Sequence, residues 1–209
     1  ECFARNFVKK KDAYLNEDEG PYQTENGHPF LNPSEEALLV SFYASKLPSL
    51  IGPMAQVPRL RRESKVPATA AMLLRRFYLS NSVMVHDPKI TMVAAAFLAS
   101  KVEDAMTDVR YLEEGTARMN APVDSQQEII PAEIALLAGT HFELLCFHPY
   151  KAVVALTEDL RTFLKTEKGK QLLLGRDGKR PDLIPIYDGA RRILDEVVVS
   201  DIPLLYSPG

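Results

Sequence analysis

The sequence has no tryptophan, only two cysteines among its 209 residues, and no excess of basic charge. The cysteines, Cys2 and Cys146, are too few for a disulfide scaffold and are typical of a reducing, intracellular compartment. A net charge of −3 argues against a domain whose main task is to neutralise phosphates, because such domains are usually strongly basic. No apolar run approaches the roughly 20 residues that a membrane span needs, and no secretory signal is visible. We therefore expect neither membrane insertion nor direct nucleic-acid binding.

The sequence is rich in apolar residues at helical spacing. Hydrophobic residues make up 46% of the chain, which is enough for a core and excludes general disorder. A start signal at Asp87-Pro88 is followed by the clearest stripe, which comprises Ile90, Val93, Ala94, Phe97 and Leu98. Alanines beside this stripe let other helices approach closely, which predicts the central helix of a bundle. Because no segment alternates with a period of two, the sequence predicts an all-α fold.

Further helices are expected on both sides of this one. The segment Asn32-Pro33-Ser34-Glu35 combines an N-cap side chain, a proline at the first helical position and a glutamate that reaches back. Other helical runs are expected from about residue 67, over 108–117, around 129–137, over 150–165 and over 183–199. Pro131 falls inside the run around 129–137, where it either starts the helix or kinks a longer one. Residues 48–58 and 166–180 are expected to form loops.

An internal repeat indicates two helical units. Placing Pro88 on Pro208 gives an offset of 120 residues and also aligns Ser80 with Ser200. We expect an N-terminal helix or extension over 1–31, a first unit over 32–145 and the beginning of a second over 149–209. A second copy of equal length would extend beyond residue 209, so the second unit is expected to be incomplete.

No catalytic or metal-binding pattern is convincing. The histidines never fall four residues apart on one helix, and Cys146-Phe147-His148 is an isolated combination. Gly175-Arg176-Asp177-Gly178 resembles a phosphate-clamping GxxG loop, but its context favours a flexible linker. The basic cluster within residues 59–65 is interpreted as a solvated loop between helices. We expect no metal and no cofactor.

Two charged residues, Lys101 and Glu133, lie on apolar stripes. Lys101 follows Ile90 by eleven positions, which is within about 20° of a whole number of helical turns. Glu133 has Ile129, Ile130, Leu136 and Leu137 at three and four positions on either side. Charges in such surroundings are unfavourable unless they are paired. Either the lysine extends to water from a helix end and the glutamate lies at the rim, or the two form a functional pair that a partner covers.

The sequence also resembles the cyclin box, most closely that of the cyclin H branch. The stretches that carry the resemblance are Arg75-Arg76-Phe77-Tyr78-Leu79-Ser80-Asn81, His86-Asp87-Pro88-Lys89-Ile90 and Ala96-Phe97-Leu98-Ala99-Ser100-Lys101-Val102-Glu103-Asp104. Ala132-Glu133-Ile134-Ala135-Leu136-Leu137 resembles the fifth helix of the box, and His148-Pro149-Tyr150 the start of a second repeat. The resemblance implies a five-helix bundle around a central third helix, followed by a truncated second repeat.

The resemblance also implies a function: a non-enzymatic subunit that binds and activates a cyclin-dependent kinase. It makes Lys101 and Glu133 a pair that holds the kinase backbone, on a surface completed by Val102, Leu137, Phe142 and Leu144. The implied kinase is of the CDK-activating type, with an assembly factor and a general transcription factor complex as further partners and the nucleus as the location.

Two departures bear on this resemblance. Residues 36–40 lack the substrate-docking motif of cell-cycle cyclins, and Arg75 stands where those cyclins carry an aspartate, which favours the transcription-type branch. The alternative is the DNA-binding core of a general transcription factor with the same two-repeat fold. That function needs a basic face, and the even distribution of charge speaks against one.

Overall fold

A computed structural model of the chain describes residues 31–174 and 182–206. Within these ranges every regular element is helical and no strand occurs, which confirms the predicted all-α class. The α-helices are α1 (Pro33–Ile51), α2 (Lys65–Tyr78), α3 (Pro88–Val102), α4 (Val109–Arg118), α5 (Ile130–Gly139), α6 (Tyr150–Phe163), α7 (Glu167–Leu174), α8 (Ile184–Val197) and α9 (Ile202–Leu205). The N-terminal helix expected within residues 1–31 lies outside the described residues, except for its last position.

Helix α1 begins where its sequence signal predicts and ends later than expected. The Asn32 side chain accepts hydrogen bonds from the Ser34 and Glu35 amides, and the Glu35 carboxylate accepts one from the Asn32 amide at 2.8 Å. The loop expected from residue 48 is wrong at its start, because the helix continues through Pro48 to Ile51. Burial of the last apolar turn of the helix offsets the hydrogen bond that this proline cannot make.

Helix α3 is the centre of the first bundle, as predicted. It packs against α1, α2, α4 and α5. Its start is capped by Asp87, whose carboxylate accepts a hydrogen bond from the Lys89 amide at 2.7 Å. Its small residues are fully buried and allow close helix approach, namely Ala94, Ala95, Ala96 and Ala99.

Pro131 lies in the first turn of α5, where its missing amide hydrogen removes no bond within that helix. A π-helical segment, Ser125–Ile129, leads directly into it. At its other end Gly139 lies against α2: a β-carbon built on this glycine would be 2.5 Å from the Phe77 ring. The close packing of α5 on α2 thus requires glycine at this position.

The second helical segment, residues 150–174 and 182–206, contacts the first bundle through α2. The buried Arg75 guanidinium donates two hydrogen bonds to the Val199 carbonyl, at 3.0 and 2.6 Å, and forms an ion pair with Asp201. Within the segment α6 packs against α8. Apolar side chains on the other faces of these helices are exposed, among them Leu156, Ile186 and Ile193.

The loop expected over residues 166–180 is wrong for its first half. Residues 167–174 form α7, because the Thr166 hydroxyl caps it by accepting a hydrogen bond from the Gly169 amide at 3.2 Å. The glycine-rich part, residues 175–180, lies outside the described residues. No helix in the described ranges is long and apolar enough to cross a membrane.

Candidate protein-binding site

Lys101 and Glu133 form an ion pair between α3 and α5. The Lys101 Nζ atom lies 2.7 Å from Glu133 Oε1 and 2.9 Å from Oε2. It also lies 3.9 Å from the centroid of the Phe97 ring, one turn earlier on α3. Glu133 is buried, with 8% of its surface exposed, so its assignment to the rim is wrong. Lys101 remains partly accessible, with 34% of its side chain exposed.

The stability of the isolated chain does not explain this pair. A pair with one partner open to solvent contributes about 0–1 kcal/mol, whereas burying a carboxylate among apolar residues is unfavourable. An apolar residue at position 133 would avoid that penalty.

Apolar side chains surround the pair to different extents. Val102, Leu137 and Leu144 are half-buried and pack against the core of the first bundle. Phe142 is instead 69% exposed. On α5 itself Ile134, the residue after Glu133, also points to solvent. Of the four predicted residues, Val102, Leu137 and Leu144 thus form a packed base, and the Phe142 ring alone of the four projects into solvent.

The chain around Phe142 is held in a fixed turn after α5. His141 and Phe142 both adopt left-handed backbone angles, with φ of 53° and 58°. The Phe142 amide donates to the Leu137 carbonyl at 3.0 Å. From α2, Arg76 donates to the carbonyls of Glu143 and Leu145 at 3.0 and 3.1 Å. These bonds fix the apolar segment, residues 142–147, on the surface of the bundle.

The structure adds site residues that the sequence analysis missed. Leu145 and Phe147 are as exposed as Phe142, while the predicted Leu144 faces inward. The signal that could have revealed them is the number of large apolar residues in a short segment that has no helical spacing. Arg76 was noted only as part of a motif, and its role depends on a contact across 67 residues.

A polar cluster lies beside the end of α3. The Thr69 hydroxyl lies 2.6 Å from a Glu103 carboxylate oxygen and 2.7 Å from His148 Nε2. Burial lowers the pKa of His148 and raises that of the Cys146 thiol. A thiol with a raised pKa is a poor nucleophile at neutral pH. The described residues hold no group of three or more histidine, cysteine or acidic side chains that could bind a metal.

The chain is similar to curated cyclins. No protein-family model matches the chain. Cyclin-H1-1 of Arabidopsis thaliana is 28% identical over 179 residues, which cover 86% of this chain and 47% of that protein. The chain spans about half the length of the curated relatives it matches.

Two solved structures have the same fold. A chain in the structure of the CAK complex from Chaetomium thermophilum bound to ATP-gamma-S matches with a TM-score of 0.66 and 25% identity, covering 98% of this chain and 56% of that one. A chain in the yeast TFIIK (Kin28/Ccl1/Tfb3) complex matches with a TM-score of 0.65 and 24% identity, covering 99% and 74%. The resemblance to the cyclins is thereby confirmed. The matching curated relatives include cyclin H proteins and the related cyclin CCL1.

Proposed function

We propose that the chain is a cyclin H-like regulatory subunit that binds and activates a cyclin-dependent kinase of the CDK-activating type. The observation that carries the proposal is the Lys101–Glu133 pair. Its carboxylate is buried and bonded to the ammonium group, and the ammonium group itself is partly exposed at the surface. Similarity to cyclin H and to chains of the CAK and TFIIK complexes supports it.

The pair is suited to bind a peptide backbone. An ammonium group has three N–H donors, and the two Glu133 oxygens occupy at most two of those of Lys101. The buried Glu133 carboxylate holds the ammonium group in place from the protein side. The pair thus offers a fixed donor at the surface, which matches a backbone carbonyl of a bound chain.

The apolar residues around the pair supply the contact area. Phe142 projects from the fixed segment 142–147, and Val102, Leu137 and Leu144 form the packed base behind it. An aromatic residue that is held rigidly and exposed is typical of an interface anchor, because little conformational entropy is lost when a partner buries it. We assign these four residues, with the pair, to the kinase-binding surface.

Activation then requires the kinase to change shape and the chain to stay rigid. A kinase is active when the glutamate of its regulatory helix pairs with the catalytic lysine. A rigid bundle that binds next to this helix stabilises the paired arrangement over the unpaired one. The chain itself supplies no catalytic residue in this scheme.

The proposal includes the organisation of the chain and its wider context. Residues 32–145 form the first cyclin repeat and 149–209 the beginning of the second, after an N-terminal extension over 1–31. An assembly factor and a general transcription factor complex are the further partners, in the nucleus. The names of the two matching complexes support this context.

The test is reconstitution with a purified kinase of the CDK-activating type. The full chain should bind the kinase and raise its rate of peptide phosphorylation, and it should transfer no phosphate when the kinase is left out. Phe142→Ser should weaken binding strongly. The matched control is Leu172→Ser, since Leu172 is similarly exposed but lies on α7. Phosphate transfer by the chain alone, or a kinase rate that excess chain leaves unchanged, would overturn the proposal.

A further inference from the structure

A polar cleft lies between the first bundle and the second helical segment. Its volume is about 960 Å³. One wall is the chain before and at the start of α2, residues 61–65, with Glu103 after α3. The other wall consists of Cys146, Phe147 and His148 in the linker, Tyr150 and Lys151 at the start of α6, and Arg191 on α8. Neither Lys101 nor Glu133 lines this cleft. The nearest lining residue in sequence is Glu103, two residues after Lys101.

The charge of the cleft is opposite to that of the chain. Two acidic side chains, Glu63 and Glu103, line it. Five cationic side chains line it as well, namely Arg61, Arg62, Lys65, Lys151 and Arg191. The lining is thus strongly positive in a chain whose net charge is −3. Residues 61–65, which belong to a segment expected from the sequence to be a solvated loop, lie opposite Lys151 and Arg191 in the folded chain.

Neutral partners position two of the guanidinium groups. Arg62 donates to the carbonyls of Ala105 and Met106, at 2.8 and 3.1 Å. Arg191 donates to the Ser64 hydroxyl at 3.0 Å and lies over the Tyr150 ring, 5.0 Å from its centroid. Carbonyls, hydroxyls and rings orient a guanidinium without cancelling its charge. Arg62 is therefore held in place by neutral partners, whereas Arg191 also interacts with the Asp195 carboxylate, so only part of its charge is available to an anion.

The remaining cations differ in how far they are neutralised. Lys65 lies 3.4 Å from a Glu103 oxygen, so one acid already offsets one base. Arg61 donates from its Nε atom to the Ala55 carbonyl at 3.2 Å. Within the described residues, neither Arg61 nor Lys151 has a carboxylate within ion-pairing distance, and both are exposed. Arg61 and Lys151 are thus the exposed cations of the cleft, whereas Arg62, Lys65 and Arg191 already have partners.

We propose that this cleft binds a phosphorylated peptide segment of a partner protein. A phosphate group carries close to two negative charges and three acceptor oxygens, which can be shared by several guanidinium and ammonium groups at once. The exposed Phe147 ring at the edge of the cleft provides an apolar contact for residues next to the phosphate. A peptide fits better than a nucleic acid, because the five cations line one cleft of a chain whose net charge is −3.

The test is fluorescence anisotropy with the full chain and no kinase, so its outcome does not depend on the proposed function. The probe is a labelled pool of short peptides with a central phosphothreonine and mixed residues on both sides. The same pool without phosphate is the first comparison, and inorganic phosphate and a single-stranded oligonucleotide are competitors. We expect the phosphorylated pool to bind at least about tenfold more tightly than the unphosphorylated pool.

Substitutions in the exposed part of the cleft locate the binding. Arg61→Ala and Lys151→Ala should each weaken binding of the phosphorylated pool several-fold, and both changes are at surface positions that tolerate alanine. Arg161→Ala is the matched control, since Arg161 lies on the same helix as Lys151 but pairs with Glu158 outside the cleft. Equal binding of the two pools, equal loss in the control, or stronger binding of the oligonucleotide would each overturn the proposal.

Discussion

Lys101→Ala and Glu133→Ala should lower the unfolding free energy by different amounts but weaken kinase binding by similar amounts. Glu133 is 8% exposed, whereas the Lys101 side chain keeps 34% of its surface in solvent. Lys101→Ala therefore leaves a carboxylate that has lost both ammonium hydrogen bonds in apolar surroundings. Glu133→Ala leaves an ammonium group that water still reaches.

The magnitudes follow from this asymmetry. An unsatisfied buried acceptor costs about 1–3 kcal/mol, which is the expected loss of unfolding free energy for Lys101→Ala. For Glu133→Ala the expected loss is only about 0–1 kcal/mol, because the exposed partner is rehydrated. In the kinase complex both groups are covered, so either change should cost about 2–5 kcal/mol, or roughly a 30-fold to several-thousand-fold loss of affinity. The double variant should lose well under the sum of the two single losses.

Urea unfolding followed by circular dichroism gives the first comparison, and titration calorimetry with the kinase gives the second. Arg161→Ala serves as the surface control and should change either free energy by no more than about 0.5 kcal/mol. Equal unfolding losses for the two single variants would refute the argument from burial. Full-strength kinase binding by Lys101→Ala would remove the proposed role of the pair and leave the fold unaffected.

Three further predictions concern the bundle and its second segment. Gly139→Ala should lower the unfolding free energy by about 1–3 kcal/mol, because its β-carbon would lie 2.5 Å from a buried ring. Gly189→Ala should raise the unfolding free energy by about 0.5–1 kcal/mol, because nothing lies within 4 Å of the added β-carbon. Denaturant unfolding that finds the Gly139 variant more stable than the Gly189 variant would contradict both expectations. Amides of α6 and α8 should exchange faster than those of α2 and α3 in hydrogen-exchange mass spectrometry, because the apolar faces of α6 and α8 are exposed. Equal protection of the four helices would contradict this prediction. Burial holds the pKa of His148 below its ordinary 6.5, so below that pH the unfolded chain takes up a proton that the folded chain does not. The unfolding free energy should therefore fall as the pH drops through this range, and His148→Gln should lessen that fall; an unchanged pH dependence would show that His148 is not responsible.

Helix starts could be predicted because their signals are local. Asn32 and Asp87 cap α1 and α3 through bonds to amides two or three positions away, which short segments of sequence already specify. The apolar stripe of α3 predicted its central position for the same reason. Local signals failed where tertiary burial overrode them, as at Pro48, which lies within α1 because the last turn of that helix is buried.

The site could be predicted only in part. Periodicity marked Lys101 and Glu133 as misplaced charges, and the structure brings them together across 32 residues. The burial of Glu133 depends on the neighbouring helices and could not be derived from its own segment. The contacts of Thr69 with Glu103 and His148 join residues 34 and 79 positions apart, and no spacing rule on one helix reaches that far.

Consecutive arginines at the end of α2 hold two different parts of the surface. Arg75 holds the Val199 carbonyl of the second segment, and Arg76 holds the Glu143 and Leu145 carbonyls of segment 142–147. The last turn of α2 therefore positions both the segment 142–147 and the second helical segment. Any shift of this turn would displace the Phe142 ring and the second helical segment together. The affinity of a partner that contacts both would therefore depend on the position of this one turn.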